Sequence, residues 1–153
     1  MELLERVFYG FFIRPDAQKS VRMLKKEPKW YLWDWSELRE EGPRLENMVA
    51  VHLMKHMNYL NDLGLDELSL HYVRDKEKRE VDFLICRSRK PFLLIECKTS
   101  DSQPAPELRS FAKILGVKHA IQVVGKKIPH RTFNYDGLTL RVLSAASFLR
   151  ELV

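Results

Sequence analysis

The chain has 153 residues, 45% of them hydrophobic and 31% charged, and a net charge of +5. That is the size of one ordinary domain with enough apolar residues for a full core, which excludes a disordered chain and a disulfide scaffold. No run approaches the roughly 20 apolar residues of a membrane span, and Glu2 and Glu5 stand where a secretory leader would be basic. A compact cytoplasmic fold with reduced cysteines is therefore expected. Residues 1–41 carry 8 basic and 8 acidic side chains and residues 42–153 carry 18 and 13, so the positive excess belongs to the second part. A basic surface favours phosphate backbones irrespective of sequence, although charge alone does not identify nucleic acid as the partner.

Taken in chain order, residues 1–41 read as an N-terminal extension or junction segment packing on the core. The aromatic run at 8–13 and the basic stretch at 19–29 hold no sustained period. The aromatic stretch at 30–35, after Pro28, predicts a short extended segment. Its three tryptophans fit packing against the core better than base stacking. The domain itself is expected over residues 42–153.

After Gly42-Pro43 the spacing predicts a helix over about 44–61. At about 100° per residue, Val49, Ala50, Leu53, Met57 and Leu60 fall within about 60° of Glu46, so an acid sits inside the apolar stripe. Burying an unpaired carboxylate is costly, so a cation, a metal or water must face Glu46. Strands are predicted over 68–74, 80–86 and 92–98, joined by polar turns as an antiparallel meander. A helix from Pro106 to Gly116 leads into a strand over 118–124, which a crossover would add in parallel. A strand over 138–143 follows, and Ser144 can cap a last helix to about 152. The fold class is α/β, a mixed sheet flanked by helices.

The chemistry concentrates in the hairpin joining the second and third of these strands. With a five-residue loop at 87–91, Cys86 faces Phe92, Leu84 faces Leu94, Asp82 faces Glu96 and Glu80 faces Lys98, all on one face. Facing residues have Cβ atoms about 4.5 to 5.5 Å apart, so Asp82 and Glu96 form a close acid pair beside Lys98. Two carboxylates that close need a cation, for which a hard divalent ion is suited. Surface salt bridges among Glu80, Asp82, Glu96 and Lys98 would use the same residues. However, Glu46, Asp82 and Glu96 each interrupt an apolar run, which one convergent site explains better. Cys86 and Cys97 have opposite parity and are not expected to pair. His52 and His56 lie off the inward face of their helix, with no cysteine at ligand spacing, which disfavours zinc.

Three segments, in this order, closely resemble the C-terminal domain of a large family of prokaryotic AAA-type ATPases, a domain similar to the PD-(D/E)XK nuclease superfamily. They are Arg44-Leu45-Glu46-Asn47-Met48-Val49-Ala50, Arg79-Glu80-Val81-Asp82-Phe83-Leu84-Ile85 and Ile95-Glu96-Cys97-Lys98. Residues 25–35 resemble the segment preceding that domain, and the likeness covers about residues 20–153. The resemblance implies a restriction-endonuclease-like core, with Glu46, Asp82 and Glu96 as ligands of Mg²⁺ (or Mn²⁺) and Lys98 as catalytic lysine. It also makes Gln122 a candidate for positioning substrate. Val81 departs from the namesake motif, which has proline there. No G-x-x-x-x-G-K-[ST] phosphate loop is present, so the ATPase part is missing and no ATP is expected on this chain.

The expected function is a Mg²⁺-dependent phosphodiesterase of DNA-endonuclease type. The alternative is a catalytically inactive module of the same fold, for DNA binding or oligomerisation of an AAA-type ATPase. Arg74, Lys76, Lys78 and Arg79 at the first hairpin, and Arg87, Arg89 and Lys90 at the second, are candidate phosphate contacts. Partners would be DNA, with self-association into a homo-oligomer left open, and no membrane.

Overall fold

The computed structural model of the chain describes residues 3, 6–16 and 27–152, so most of the basic stretch at 19–29, and the first residues of the 25–35 segment, lie outside the described residues. Eight strands form one mixed sheet: β1 (Gly10–Pro15), β2 (Lys29–Leu32), β3 (Leu68–Arg74), β4 (Glu80–Arg87), β5 (Lys90–Lys98), β6 (His119–Val124), β7 (Arg131–Tyr135) and β8 (Leu138–Ser144). Their order is β2-β1-β3-β4-β5-β6-β8-β7. Helix α1 (Glu41–Asp62) and short helix α3 (Ala145–Arg150) cover one face, and α2 (Pro106–Leu115) covers the other. The fold is α/β, with the expected meander β3-β4-β5 and a parallel strand β6 reached through crossover helix α2. It is consistent with a nuclease-like core. No helix among the described residues is long and apolar enough to cross a membrane.

Local chemistry accounts for the element ends. Helix α1 starts before Gly42-Pro43 rather than after it. Proline is tolerated in a first turn because its absent N–H is one that has no helical partner there. Pro106 opens α2, and Gly116 closes it in the left-handed conformation at φ 68°, returning its N–H to the carbonyl of Ala112. Ser144 caps α3, accepting from the N–H of Ser147 at 3.3 Å. The loop between β4 and β5 is a two-residue turn, not a five-residue one. Ser88 (φ 46°) and Arg89 (φ 63°) take the positive φ values that such a turn demands. One extra residue on β5 absorbs the difference, so Cys86 pairs with Pro91 instead of Phe92.

Within the N-terminal segment, β1 and β2 are strands of the sheet. β1 pairs antiparallel with β2 and parallel with β3, and Phe11, Ile13 and Tyr31 are buried in the core beneath α1. Asn47, only 3% exposed on α1, clamps the edge strand. Its Oδ1 accepts from the N–H of Leu32 at 2.9 Å, and its Nδ2 donates to the Leu32 carbonyl at 2.6 Å. Sequence periodicity did not single this residue out.

A β-bulge in β4 controls everything downstream. His71 pairs with Leu84 and Val73 with Val81, so Asp82 and Phe83 together stand opposite the single residue Tyr72. Strand alternation therefore changes phase. Val81 packs with α2, whereas Phe83 and Ile85 pack with α1.

Replacing Asn47 by Ala should lower the unfolding free energy by about 1–3 kcal/mol, since two buried hydrogen bonds are lost and the backbone groups of Leu32 are left without their partner. A urea midpoint unchanged from wild type would contradict this role.

Candidate active site

The β4–β5 ladder runs from Arg87↔Lys90 to Phe83↔Ile95 and stops there. Beyond that point each strand is held by the other's carboxylate. The N–H of Asp82 donates to Glu96 Oε2 at 3.3 Å, and the N–H of Cys97 donates to Asp82 Oδ2 at 2.9 Å. β5 still pairs in parallel with β6 through Lys98↔Val124, and β6 with β8 through Val124↔Ser144. The opened end thus lies at the carboxyl ends of the parallel strands, where open α/β sheets bind their ligands.

The acids do not share one face, as unbroken alternation predicted. The bulge turns Glu80 and Asp82 toward α1, while Glu96 and Lys98 follow Leu94 toward α2. On the α1 side the organising group is Lys29 of β2. Its Nζ lies 2.5 Å from Glu80, 3.1 Å from Glu46 and 3.8 Å from Asp82. The Tyr31 hydroxyl donates to the same Glu46 oxygen at 2.6 Å. Glu80 is therefore partnered by Lys29, with Arg74 3.6 Å away, and not by Lys98. On the α2 side, Lys98 Nζ bonds Glu96 Oε1 at 2.7 Å.

Glu46, Glu80, Asp82 and Glu96 together outnumber Lys29 and Lys98, and the site is short of positive charge. Burial first, and then the charges of Glu46 and Glu96, push the Asp82 carboxyl well above the usual range, against the opposing pull of Lys29 and the Cys97 N–H. Burial raises Glu96 too, more than its bond to Lys98 lowers it. Burial would lower both lysines, but their carboxylates outweigh it and hold both ammonium groups firmly protonated. Burial, then the charges of Asp82, Glu46 and Glu96, raise the Cys97 thiol, and burial pushes Cys86 up to about 11. Both are free thiols without nucleophilic character at neutral pH.

Among the described residues no three His, Cys, Asp or Glu side chains gather closely enough to cage an ion by themselves. Mg²⁺ does not require such a cage, since one or two carboxylates with water and phosphate oxygens usually hold it. Asp82 and Glu96 fit that requirement. They offer only oxygen donors in a negatively charged pocket that has already drawn in the ammonium of Lys29 as a stand-in cation. Glu46 borders this pair through Lys29.

The other expected residues divide. Gln122 is fully buried, and its amide is spent on the loop after β5. Its Oε1 accepts from the N–H of Ala105, and its Nε2 donates to the carbonyls of Asp101 and Gln103. It shapes the segment that follows Lys98 instead of facing a substrate. Lys76 and Lys78 are exposed on the hairpin at the site's end of β4, while Arg79 there is held by Asp75 at 2.7 Å and Glu77 at 2.8 Å. Arg87, Arg89 and Lys90 sit at the opposite end of β4, about 17 Å along the strand from Asp82, and Arg87 is taken by Asp66. They do not border the site. His52 bonds the carbonyl of Met48. Sequence reasoning missed Lys126 and Lys127, exposed and without an acidic partner among the described residues. The Gly125 N–H before them donates to the Lys98 carbonyl at 2.9 Å. A Cβ on Gly125 would come within 3.0 Å of the Thr99 carbonyl, so glycine permits this close approach. Lys29 and Tyr31, two apart on one strand face, were the available signal for the α1 side.

A family model described as a domain of unknown function, DUF4143, matches residues 41–140. The match takes in Glu46, Asp82, Glu96, Lys98 and Gln122 and leaves out Lys29 and Tyr31. No curated protein matches the chain.

Because the folded Asp82 carboxyl is raised, the folded chain holds a proton that the unfolded chain has released once pH passes the ordinary carboxylate value. Its contribution to stability is present below that value and is lost as pH rises through the raised one. In EDTA, Asp82→Asn should therefore melt above wild type by a margin that grows across the range from the ordinary carboxylate value upward. A margin constant across that range would contradict the raised carboxyl.

Proposed function

The chain belongs to the DUF4143 family, and from that premise we propose that it is a Mg²⁺-dependent phosphodiesterase that cleaves the DNA backbone, related to the PD-(D/E)XK nucleases and to the nuclease-like domains of AAA-type ATPases. The observation that carries this reading is the exchange of carboxylates between Asp82 and Glu96 at the opened end of β4 and β5, with Lys98 bonded to Glu96. Asp82 and Glu96 would hold the ion, with Mn²⁺ as a substitute, and Glu46 would supplement their charge. When bound, the ion would polarise the scissile phosphate and lower the pKa of the attacking water. Lys98, bonded to Glu96, would orient the water or stabilise charge developing on the phosphate.

Lys126 and Lys127, together with Lys76 and Lys78, supply positive charge on the two sides of this opening, and the phosphate backbone is the natural occupant. The filling of the α1-side acids by Lys29 favours one rival, a non-catalytic module that keeps the fold for DNA binding or for oligomerisation of an ATPase.

Asp82→Asn and Lys98→Met should each lower Mg²⁺- or Mn²⁺-dependent cleavage of DNA by at least about 100-fold while circular dichroism remains that of wild type. Cleavage unchanged in both variants, or absent in wild type while DNA is still bound, would favour the rival. Lys126→Glu with Lys127→Glu should weaken DNA binding and reduce the slope of log affinity against log salt by about 1 to 2. An unchanged slope would move the contact elsewhere.

A further inference from the structure

Lys29 stands outside the segment matched by the family, yet it makes the densest set of charged contacts in the site. We propose that Lys29 is an internal counter-cation that competes with the divalent ion for the acid cluster, and so sets the metal concentration at which the site fills. The proposal rests on the metal-dependent reading above and deepens it.

The geometry limits where an ion can bind. Asp82 Oδ2 accepts from the N–H of Cys97, and Glu96 Oε1 accepts from Lys98. The Asp82 oxygen with both lone pairs open to an ion is Oδ1, and Lys29 Nζ lies 3.8 Å from it. At that distance the ammonium attracts the carboxylate without a hydrogen bond to block it, and any cation arriving at Oδ1 meets a like charge at short range. A lysine is ammonium at about pH 8, and Lys29 lies against three carboxylates, so the repulsion is that of a full positive charge.

The backbone of Lys29 is fixed, and its ammonium stands at the end of a four-carbon stem. Lys29 pairs with Ile13 in the β1–β2 ladder, Tyr31 is buried, and Leu32 is clamped by Asn47. The four-carbon stem leaves the ammonium free to change partners. Glu46 and Glu80 can retain it when Asp82 is given up, and it already lies over the Tyr72 ring, 5.4 Å from the centroid. The strand thus delivers a tethered charge whose strength depends on residue 29 alone.

The test is Mn²⁺ binding to the full chain at about pH 8, measured by titration calorimetry and by the electron paramagnetic resonance of free Mn²⁺. Lys29→Met should bind Mn²⁺ at least about tenfold more tightly than wild type, Lys29→Arg should bind no more tightly than wild type, and Asp82→Asn added to Lys29→Met should abolish the gain. If Lys29→Met does not fold without metal, Lys29→Gln and thermal melts with increasing Mn²⁺ replace it. Recovery of folding by Mn²⁺ supports the competition, and absence of recovery overturns it. Equal or weaker binding by the neutral variants overturns the proposal and leaves the metal-dependent reading intact. No binding to wild type or to any variant overturns both.

Discussion

Four carboxylates gathered at the open end of β4 and β5 cannot be left in partly buried surroundings without cations, and much of the molecule answers that demand. Lys98 reaches Glu96 from the same strand. Lys29 comes from a strand at the far side of β1, which requires the N-terminal residues to join the sheet instead of trailing from it. The bulge at Asp82 and Phe83 divides the acids between the two faces, so that neither face carries all four. Two lysines still leave the cluster negative; burial raises the carboxyls of both Asp82 and Glu96, and for Asp82 the charges of Glu46 and Glu96 add to it.

The sequence was legible where local punctuation and period agree. Pro106 and Gly116 bracket α2, the polar turns separate β3, β4 and β5, and Ser144 marks the start of α3. It was misleading where one residue changes phase. An unbroken alternation puts Asp82, Glu96, Glu80 and Lys98 on one face, and a single extra residue opposite Tyr72 reverses that for Glu80 and Asp82. Nothing in Val81-Asp82-Phe83 announces the bulge. Likewise, Ser88-Arg89 lacks the Asn or Gly that usually advertises a two-residue turn, which lengthened the expected loop and shifted the pairing of Cys86. Strand β1 escaped notice because its aromatic run has burial without clean alternation.

Net charge was informative in amount and uninformative in place. Of the basic residues at the two hairpins, Arg79 answers Asp75 and Glu77, and Arg87 answers Asp66. Those charges are spent within the fold. A count along the chain cannot separate paired from unpaired cations, because pairing is decided by turn geometry and by partners such as Asp66, 21 positions away in sequence. Besides Lys76 and Lys78 of the first hairpin, the lysine pair following β6 stands at the site's end of the sheet, where the parallel register carries it alongside Lys98.

The two halves of the site are held by different physics. On the α2 side, Lys98 is fixed from behind. Gln122 ties down the loop at 101–105, and the N–H of Gly125 ties the carbonyl of Lys98 itself. Such hydrogen bonds to the backbone leave little room for adjustment. On the α1 side, Glu46, Glu80 and Asp82 are assembled around one ammonium, through a hydrogen bond to Glu46 and ion pairs to the other two. A substitution at Gln122 would act through position, whereas one at residue 29 would act through charge. On the proposal that Lys29 competes with the ion, strand β2 would be where the site is tuned without being rebuilt.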